Sequence, residues 1–304
     1  MAERVGQPWR WILLVAGTLA VGAVPGARGA PASPPGGSSN AVSGKAPPPV
    51  DSVAASLWVA ASVHEASGEH AAAARARLRI LQRAPDQVRN YWQLARDFLR
   101  AGEELPAEDR QGRRRAFQEA LRWARRGAVL DASCPECCSY EFAAAAELLT
   151  LADPGEALGR IGGVGRTLER CLAGAPDPAS SGPERGDLAE AAALYAGAAT
   201  FYRRLPDSPW LHLASGVRGD PARAVRLARR ALVLAPGRAD YQLELAAGLL
   251  CLAHSRGDAA ARKQGIQVLQ GALGLGPPVA PKARALLSAP ERACHFGPEL
   301  RALR

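Results

Sequence analysis

Lysine is almost missing from this chain. Only Lys45, Lys263 and Lys282 occur in 304 residues, so the net charge of +9 is carried almost wholly by arginine. It falls to +7 once residues 1–32 are set aside with Glu3, Arg4, Arg10 and Arg28. Arginine spread this evenly fits a coding bias and solvated helix faces better than a phosphate-binding surface. The chain also lacks an apolar run of the roughly 20 residues that span a bilayer. Its longest run, 11-WILLVAGTLAVGAV-24, follows a weakly basic start (Arg4, Arg10) and precedes Ala30-Pro31-Ala32. A basic start, a short apolar core and a small-residue site describe a secretory signal peptide over 1–32, with an uncleaved anchor as the alternative. No cysteine follows the apolar run, which excludes a lipid-modified amino terminus. Export to the periplasm or beyond removes nucleic acid as the expected partner, although basic chains can bind it.

Large apolar side chains are scarce over 33–50, where Pro, Gly, Ser and Ala dominate. Such a stretch cannot bury enough surface to offset its ordering entropy, so it reads as a disordered linker. The folded domain is expected over 51–304. β-branched alternation is absent there, which excludes a sheet; apolar and alanine positions recur instead at helical spacing, as in Leu57, Ala60, Ala61 and His64, or Leu245, Ala246 and Leu249. The expected class is all-α.

Catalytic signatures are lacking too. The five histidines are scattered, and neither H-E-x-x-H nor G-x-S-x-G occurs. The glycine-rich run 159-GRIGGVGRT-167 has Arg160 where a phosphate loop needs its first glycine and Arg166 where it needs lysine. In the helical pattern it reads as the start of a packing helix. No enzyme activity, cofactor or metal is expected.

What is present is a repeat. The segments 68-GEHAAAARARLRILQRAP-85, 219-GDPARAVRLARRALVLAP-236 and 265-GIQVLQGALGLGP-277 each space small residues along a helix and stop at proline. The residues Gly219, Asp220, Ala224, Ala228, Ala231, Leu232, Leu234 and Pro236 resemble the second half of a tetratricopeptide repeat, a helix pair of about 34 residues. First halves fit at 54–69 (Leu57, Ala61, His64, Gly68) and 88–103 (Tyr91, Leu94, Ala95, Phe98, Gly102). This register implies an α-solenoid of about five tetratricopeptide-like helix pairs with a C-terminal capping helix near 281–289. Loop insertions are expected after Gly102, Tyr202 and His254, and His64 falls on a core position.

The order of a repeat ending in Cys-x-x-Cys, a long helix pair and a Gly-Asp-Pro helix ending in A-L-x-L-A-P covers roughly 110–255. It resembles the T-component family of tripartite ATP-independent periplasmic transporters. That resemblance implies a homo-oligomer that docks on a periplasmic solute-binding protein. The tetratricopeptide pattern implies that Trp58 and Trp92 share one groove position in successive repeats, with Arg89, Arg96 and Arg100 beside the second. Two stacked indoles flanked by guanidinium groups suit an aromatic or acidic peptide.

The remaining feature is CPECC, with Cys134, Cys137 and Cys138 at a turn between repeats. A helix amino terminus lowers a thiol's pKa, which would suit redox chemistry. Tetrahedral zinc needs four ligands, and no second C-x-x-C or paired histidines exist. In an oxidising compartment a structural disulfide from Cys134 to Cys137 or Cys138 is the expectation, with Cys171, Cys251 and Cys294 as cross-helix partners. Six cysteines allow 15 pairings, so connectivity is not legible. The leading expectation is an exported scaffold that binds a partner protein or peptide, with a transport-accessory role implied by the resemblance. The alternative is a thiol redox or metal-handling protein centred on CPECC.

Overall fold

A computed structural model describes residues 52–175, 185–274 and 279–295. The expected signal peptide (1–32) and linker (33–50) lie outside the described residues. Among these, the chain forms α-helices and no strand. The helices pair as α1 (Ser52–Ala66) with α2 (His70–Arg83), α3 (Val88–Glu104) with α4 (Arg110–Leu130), and α5 (Pro135–Thr150) with α6 (Pro154–Gly174). Then α7 (Arg185–Arg204) packs on α9 (Pro221–Leu234), with the short α8 (Pro209–Ser215) between them in sequence, and α10 (Ala239–Arg256) packs on α11 (Ala259–Leu273). Helix α12 (Val279–Ser288) and a 3-10 turn (Pro290–His295) cover the last pair. This is the α-solenoid of five helix pairs and a C-terminal cap that the repeat pattern predicts. No helix among the described residues is long and apolar enough to cross a membrane.

Local chemistry sets the helix ends. Asp109, Asp153, Asp220 and Asp258 each cap the second helix of a pair, accepting the backbone N–H three residues on at 2.8–2.9 Å. A carboxylate there satisfies an orphan donor and meets the positive end of the helix dipole. Ala84 and Ala235 close α2 and α9, each followed by proline, and Gly257 takes the left-handed conformation (φ 67°) that ends α10. After Gly102 the added residues extend α3 to Glu104 and form the turn 105–109 before α4, whereas after His254 helix α10 runs on to Arg256 and only Gly257 and Asp258 precede α11, so the loop expected there is corrected. The segment after Tyr202 is a real insertion, and α8 lies within it. His64 is also not a core residue: it is half exposed, and its Nδ1 lies 2.6 Å from Glu69 across the first turn.

The first helices of the pairs pack on one another, α3 on α5, α5 on α7 and α7 on α10, whereas successive second helices make no comparable contact. The stack is therefore tighter on the side of α1, α3, α5, α7 and α10, which form an inner layer. Helices α2, α4, α6, α9 and α11 form the outer layer. Between the layers alanine dominates: Ala61, Ala73, Ala95, Ala120, Ala124, Ala144, Ala192, Ala224 and Ala246 are fully buried. A methyl side chain lets helix axes approach closely while each buried CH₂ or CH₃ still contributes about 0.8 kcal/mol.

The cap is held from inside. Arg203 of α7 is buried and donates from Nε and Nη2 to both oxygens of Glu244 (2.7 and 2.8 Å), and from Nη1 to the Ala293 carbonyl (2.6 Å). The run 159-GRIGGVGRT-167 is the interior of α6, not the start of a helix, and its glycines make room for the α8 insertion. A Cβ on Gly162 would run into the Ser215 carbonyl, and one on Gly165 into the Val217 side chain, while Gly159 faces open space. Gly162→Ala is therefore expected to destabilise the fold by roughly 1–3 kcal/mol, lowering the melting temperature by several degrees. Gly159→Ala should raise stability by up to ~1 kcal/mol, since alanine is the better helix former. Thermal unfolding of the two variants side by side checks this; equal effects would show that α8 does not dock on α6.

Candidate functional site

The sequence pattern points to the inner layer, and the structure places all five groove residues on α1 and α3. Trp58 on α1 is half-buried, with the guanidinium groups of Arg77 and Arg89 over its ring at 5.3 and 5.2 Å from the centroid. Trp92 on α3 lies parallel to Tyr140 of α5, with centroids 6.3 Å apart and planes 7° from parallel, and Arg96 sits 5.6 Å from its centroid. The two indoles thus do not stack on each other. Trp58 serves as a platform for two arginines, and Trp92 begins a ring pair that runs into the next repeat.

The arginines are also committed within the chain. Arg96 Nη2 donates to Glu65 at 2.5 Å, and Arg100 Nη1 donates to Glu103 at 2.9 Å. Beneath them lies a network that the sequence did not reveal. Arg77 of α2, only 2% exposed, donates from Nε to Asp97 (2.6 Å), from Nη1 to Gln93 (2.5 Å) and from Nη2 to Glu65 (2.7 Å). All three guanidinium nitrogens are used, and α1, α2 and α3 are joined at one point. Gln93 and Asp97 are four apart on one face of α3, a spacing that signals shared direction. Nothing in the sequence says that the direction is inward or that Arg77 comes to meet them.

Asp97 is fully buried; its second oxygen has no hydrogen-bond partner, and the Arg96 Nε is 3.9 Å away. Burial pushes its carboxyl up to about 6, against the opposing pull of Arg77 and Arg96. Farther along the inner face, the Tyr140 hydroxyl donates to Glu190 of α7 at 2.9 Å. Burial and the neighbouring Glu190 charge hold the Tyr140 hydroxyl well above its usual range. Burial also raises Glu190, with the Tyr140 hydrogen bond and the charges of Arg96 and Arg100 opposing. The packing of α3 on α5, α5 on α7 and α7 on α10 sets these groups in succession along the inner layer. His70, at the start of α2, is pushed down by burial and by Arg100.

This surface is electrically mixed. The inner helices contain seven arginines against eleven Asp and Glu, which removes the electrostatic basis for an acidic peptide. What remains at the surface is the half-buried indoles of Trp58 and Trp92 edged by arginines, with Tyr140 and Tyr241 buried beneath them, an arrangement suited to recognition.

CPECC lies at the outset of α5. Cys134 is its N-cap, and its Sγ accepts the Cys137 N–H at 3.1 Å. Cys134 is bonded to Cys137, Cys138 to Cys171 and Cys251 to Cys294. The first closes a single turn, the second ties α5 to α6, and the third ties α10 to the terminal 3-10 turn. Cys134, Cys137 and Cys171 are buried, which limits access to their sulfurs.

Two measurements follow. The folded chain holds the Asp97 proton more tightly than the unfolded chain, whose carboxyl titrates near 3.8. Stability contributed by Asp97 is therefore complete at low pH and is lost as pH rises from about 4 through about 6. Relative to Asp97→Asn, the native chain should gain roughly 2–3 kcal/mol between pH 7 and pH 4 in chemical denaturation. A pH-independent difference would rule this out. For the disulfides, loop closure makes the separations of 33 and 43 residues worth about 4 kcal/mol each and the three-residue clasp about 2 kcal/mol. Cys251→Ser/Cys294→Ser should thus lower stability more than Cys134→Ser/Cys137→Ser, as read by denaturant midpoints.

Comparison with known proteins adds little to this geometry. No family model matches the chain, and no curated protein matches it. Among solved structures, the crystal structure of MamA protein is similar at a TM-score of 0.38 and 12% identity, over 73% of this chain and 91% of that one.

Proposed function

We propose that this chain is an exported helical-repeat scaffold, not an enzyme, and that its inner face binds a partner protein or peptide. The observation that carries the reading is the half-buried Trp92 of α3, edged by Arg96 and resting on the buried Tyr140 of α5, whose hydroxyl in turn donates to Glu190 of α7. Helices that each contribute one or two side chains to a shared concave face are how a solenoid builds an extended binding site. Pairing of all six cysteines in disulfides supports export, because such bonds persist in oxidising compartments. The resemblance to the T-component family extends the proposal to a transport-accessory role, with a periplasmic solute-binding protein as partner and self-association of the repeat chain. The redox alternative at CPECC is weakened by the burial of Cys134 and Cys137 inside a disulfide.

The test is affinity capture from an envelope extract with the native chain, Trp58→Ala/Trp92→Ala and Trp58→Phe/Trp92→Phe. The double alanine variant should lose the specifically retained protein at least tenfold, and phenylalanine should restore most of it. Circular dichroism confirms that each variant folds. Retention of the same protein by a folded double alanine variant would overturn the groove assignment.

A further inference from the structure

The outer helices α2, α4, α6, α9 and α11 carry twenty Arg and Lys residues against three Glu. Helices α2, α9 and α11 hold no acidic residue at all. The three acids present are already taken: Glu119 by Arg122, Glu156 by Arg114 and Arg160, and Glu169 by Arg223. Exposed Arg75, Arg79, Arg115, Arg166, Arg226 and Arg229 enter no ion pair among the described residues. Arg75 and Arg79 are four apart on α2, and Arg226 and Arg229 three apart on α9, so each pair shares a helix face. The inner layer has the opposite balance. Without the buried Arg77 and Arg113, and with the capping Asp109, Asp153, Asp220 and Asp258 included, the outer layer carries eighteen Arg and Lys against seven acids, a strongly cationic face.

The same outer layer shows large apolar side chains to solvent. Helix α8 rests on α6 through the Gly162 and Gly165 contacts and exposes Trp210 (55%) and Leu213 (86%). Val129 at the end of α4 (86%) and Val233 at the end of α9 (66%) are exposed as well. Arginines interspersed with an indole and aliphatic groups match the headgroup region of a bilayer, where cations meet phosphates and the apolar groups enter the acyl boundary. A nucleic acid would use the arginines but not the aliphatic groups, and the three disulfides place the chain away from it.

We propose that the outer layer docks peripherally on an anionic phospholipid bilayer, leaving the inner face turned away from the membrane and open to a partner. This surface and the inner groove are independent, and either stands without the other.

The experiment uses the chain from residue 33, which retains every described helix and omits the apolar run 11–24. It is sedimented with phosphatidylcholine vesicles and with vesicles containing about 30 mol% phosphatidylglycerol, in about 50 and about 300 mM NaCl. Binding is expected to the anionic vesicles alone and to weaken at least tenfold at the higher salt. Arg75→Gln/Arg79→Gln/Arg226→Gln/Arg229→Gln should lower partitioning roughly tenfold or more, and the inner-face variant Arg89→Gln should leave it unchanged. Trp210→Ser/Leu213→Ser should remove most of the binding that persists at high salt. Arg115→Gln/Arg166→Gln, on different helices, gives the same readout should the fourfold variant fail to fold. Equal binding to neutral vesicles, no binding to either, or unchanged binding by the arginine variants would overturn the proposal. So would tighter binding to a duplex DNA probe through the same arginines, which would make nucleic acid the occupant.

Discussion

Close approach between helices is the constraint from which the rest of this structure follows. Where α10 and α11 meet, Gly265 faces Leu249 and Leu250, and where α9 meets α10, Gly248 faces Val225. Elsewhere fully buried alanines occupy the same stripe. A core made of such small groups gains little per residue, so it must be continuous, and stacking successive pairs supplies that continuity. Phe117, Phe142, Tyr195 and a series of leucines fill the space beside these alanines, and most charged side chains are left on the two surfaces. Both proposed binding faces exist because the core between them is narrow.

Buried guanidinium groups are exceptions, among them Arg203 beneath the cap and Arg77 between the first three helices. A buried guanidinium loses several kcal/mol of solvation, which is recovered only if nearly all its donors are used. At Arg77 three acceptors from α1 and α3 take three nitrogens, and the Trp58 ring covers the group. The same residues therefore fix the packing of the first three helices and the shape of the inner face near Trp58. Asp97 is the weak member: one oxygen is bonded and the other is buried without a donor, so burial outweighs the two nearby arginines. The amino-terminal end of the stack is accordingly the part whose stability responds to mildly acidic pH.

Much of the architecture was legible residue by residue. The spacing of Ala224, Ala228 and Ala231, and the Gly219-Asp220 pair before them, located α9 and its cap with little ambiguity. Asp109 and Asp258 carry equally clear cap signals, and the Asp258 cap stands so close to His254 that no loop fits between α10 and α11. The run holding Gly162 and Gly165 reads in sequence as the start of a packing helix because the segment these glycines accommodate, 208–217, lies some fifty residues away. Trp58 and Trp92 lie on α1 and α3, but their partners, Arg77, Tyr140 and Glu190, come from other helices, and no local spacing encodes those meetings.

By itself the sequence determined the helical secondary structure and the pairwise repeat, because helical periodicity and caps are local properties. Only the tertiary structure decided which cysteines bond, which guanidinium is buried and which aromatic rings meet, since each depends on contacts between distant helices. It also decided the charge asymmetry. Arginine looked uniformly scattered along the chain, and became a surface only when alternate helices were carried to opposite sides of a thin alanine core.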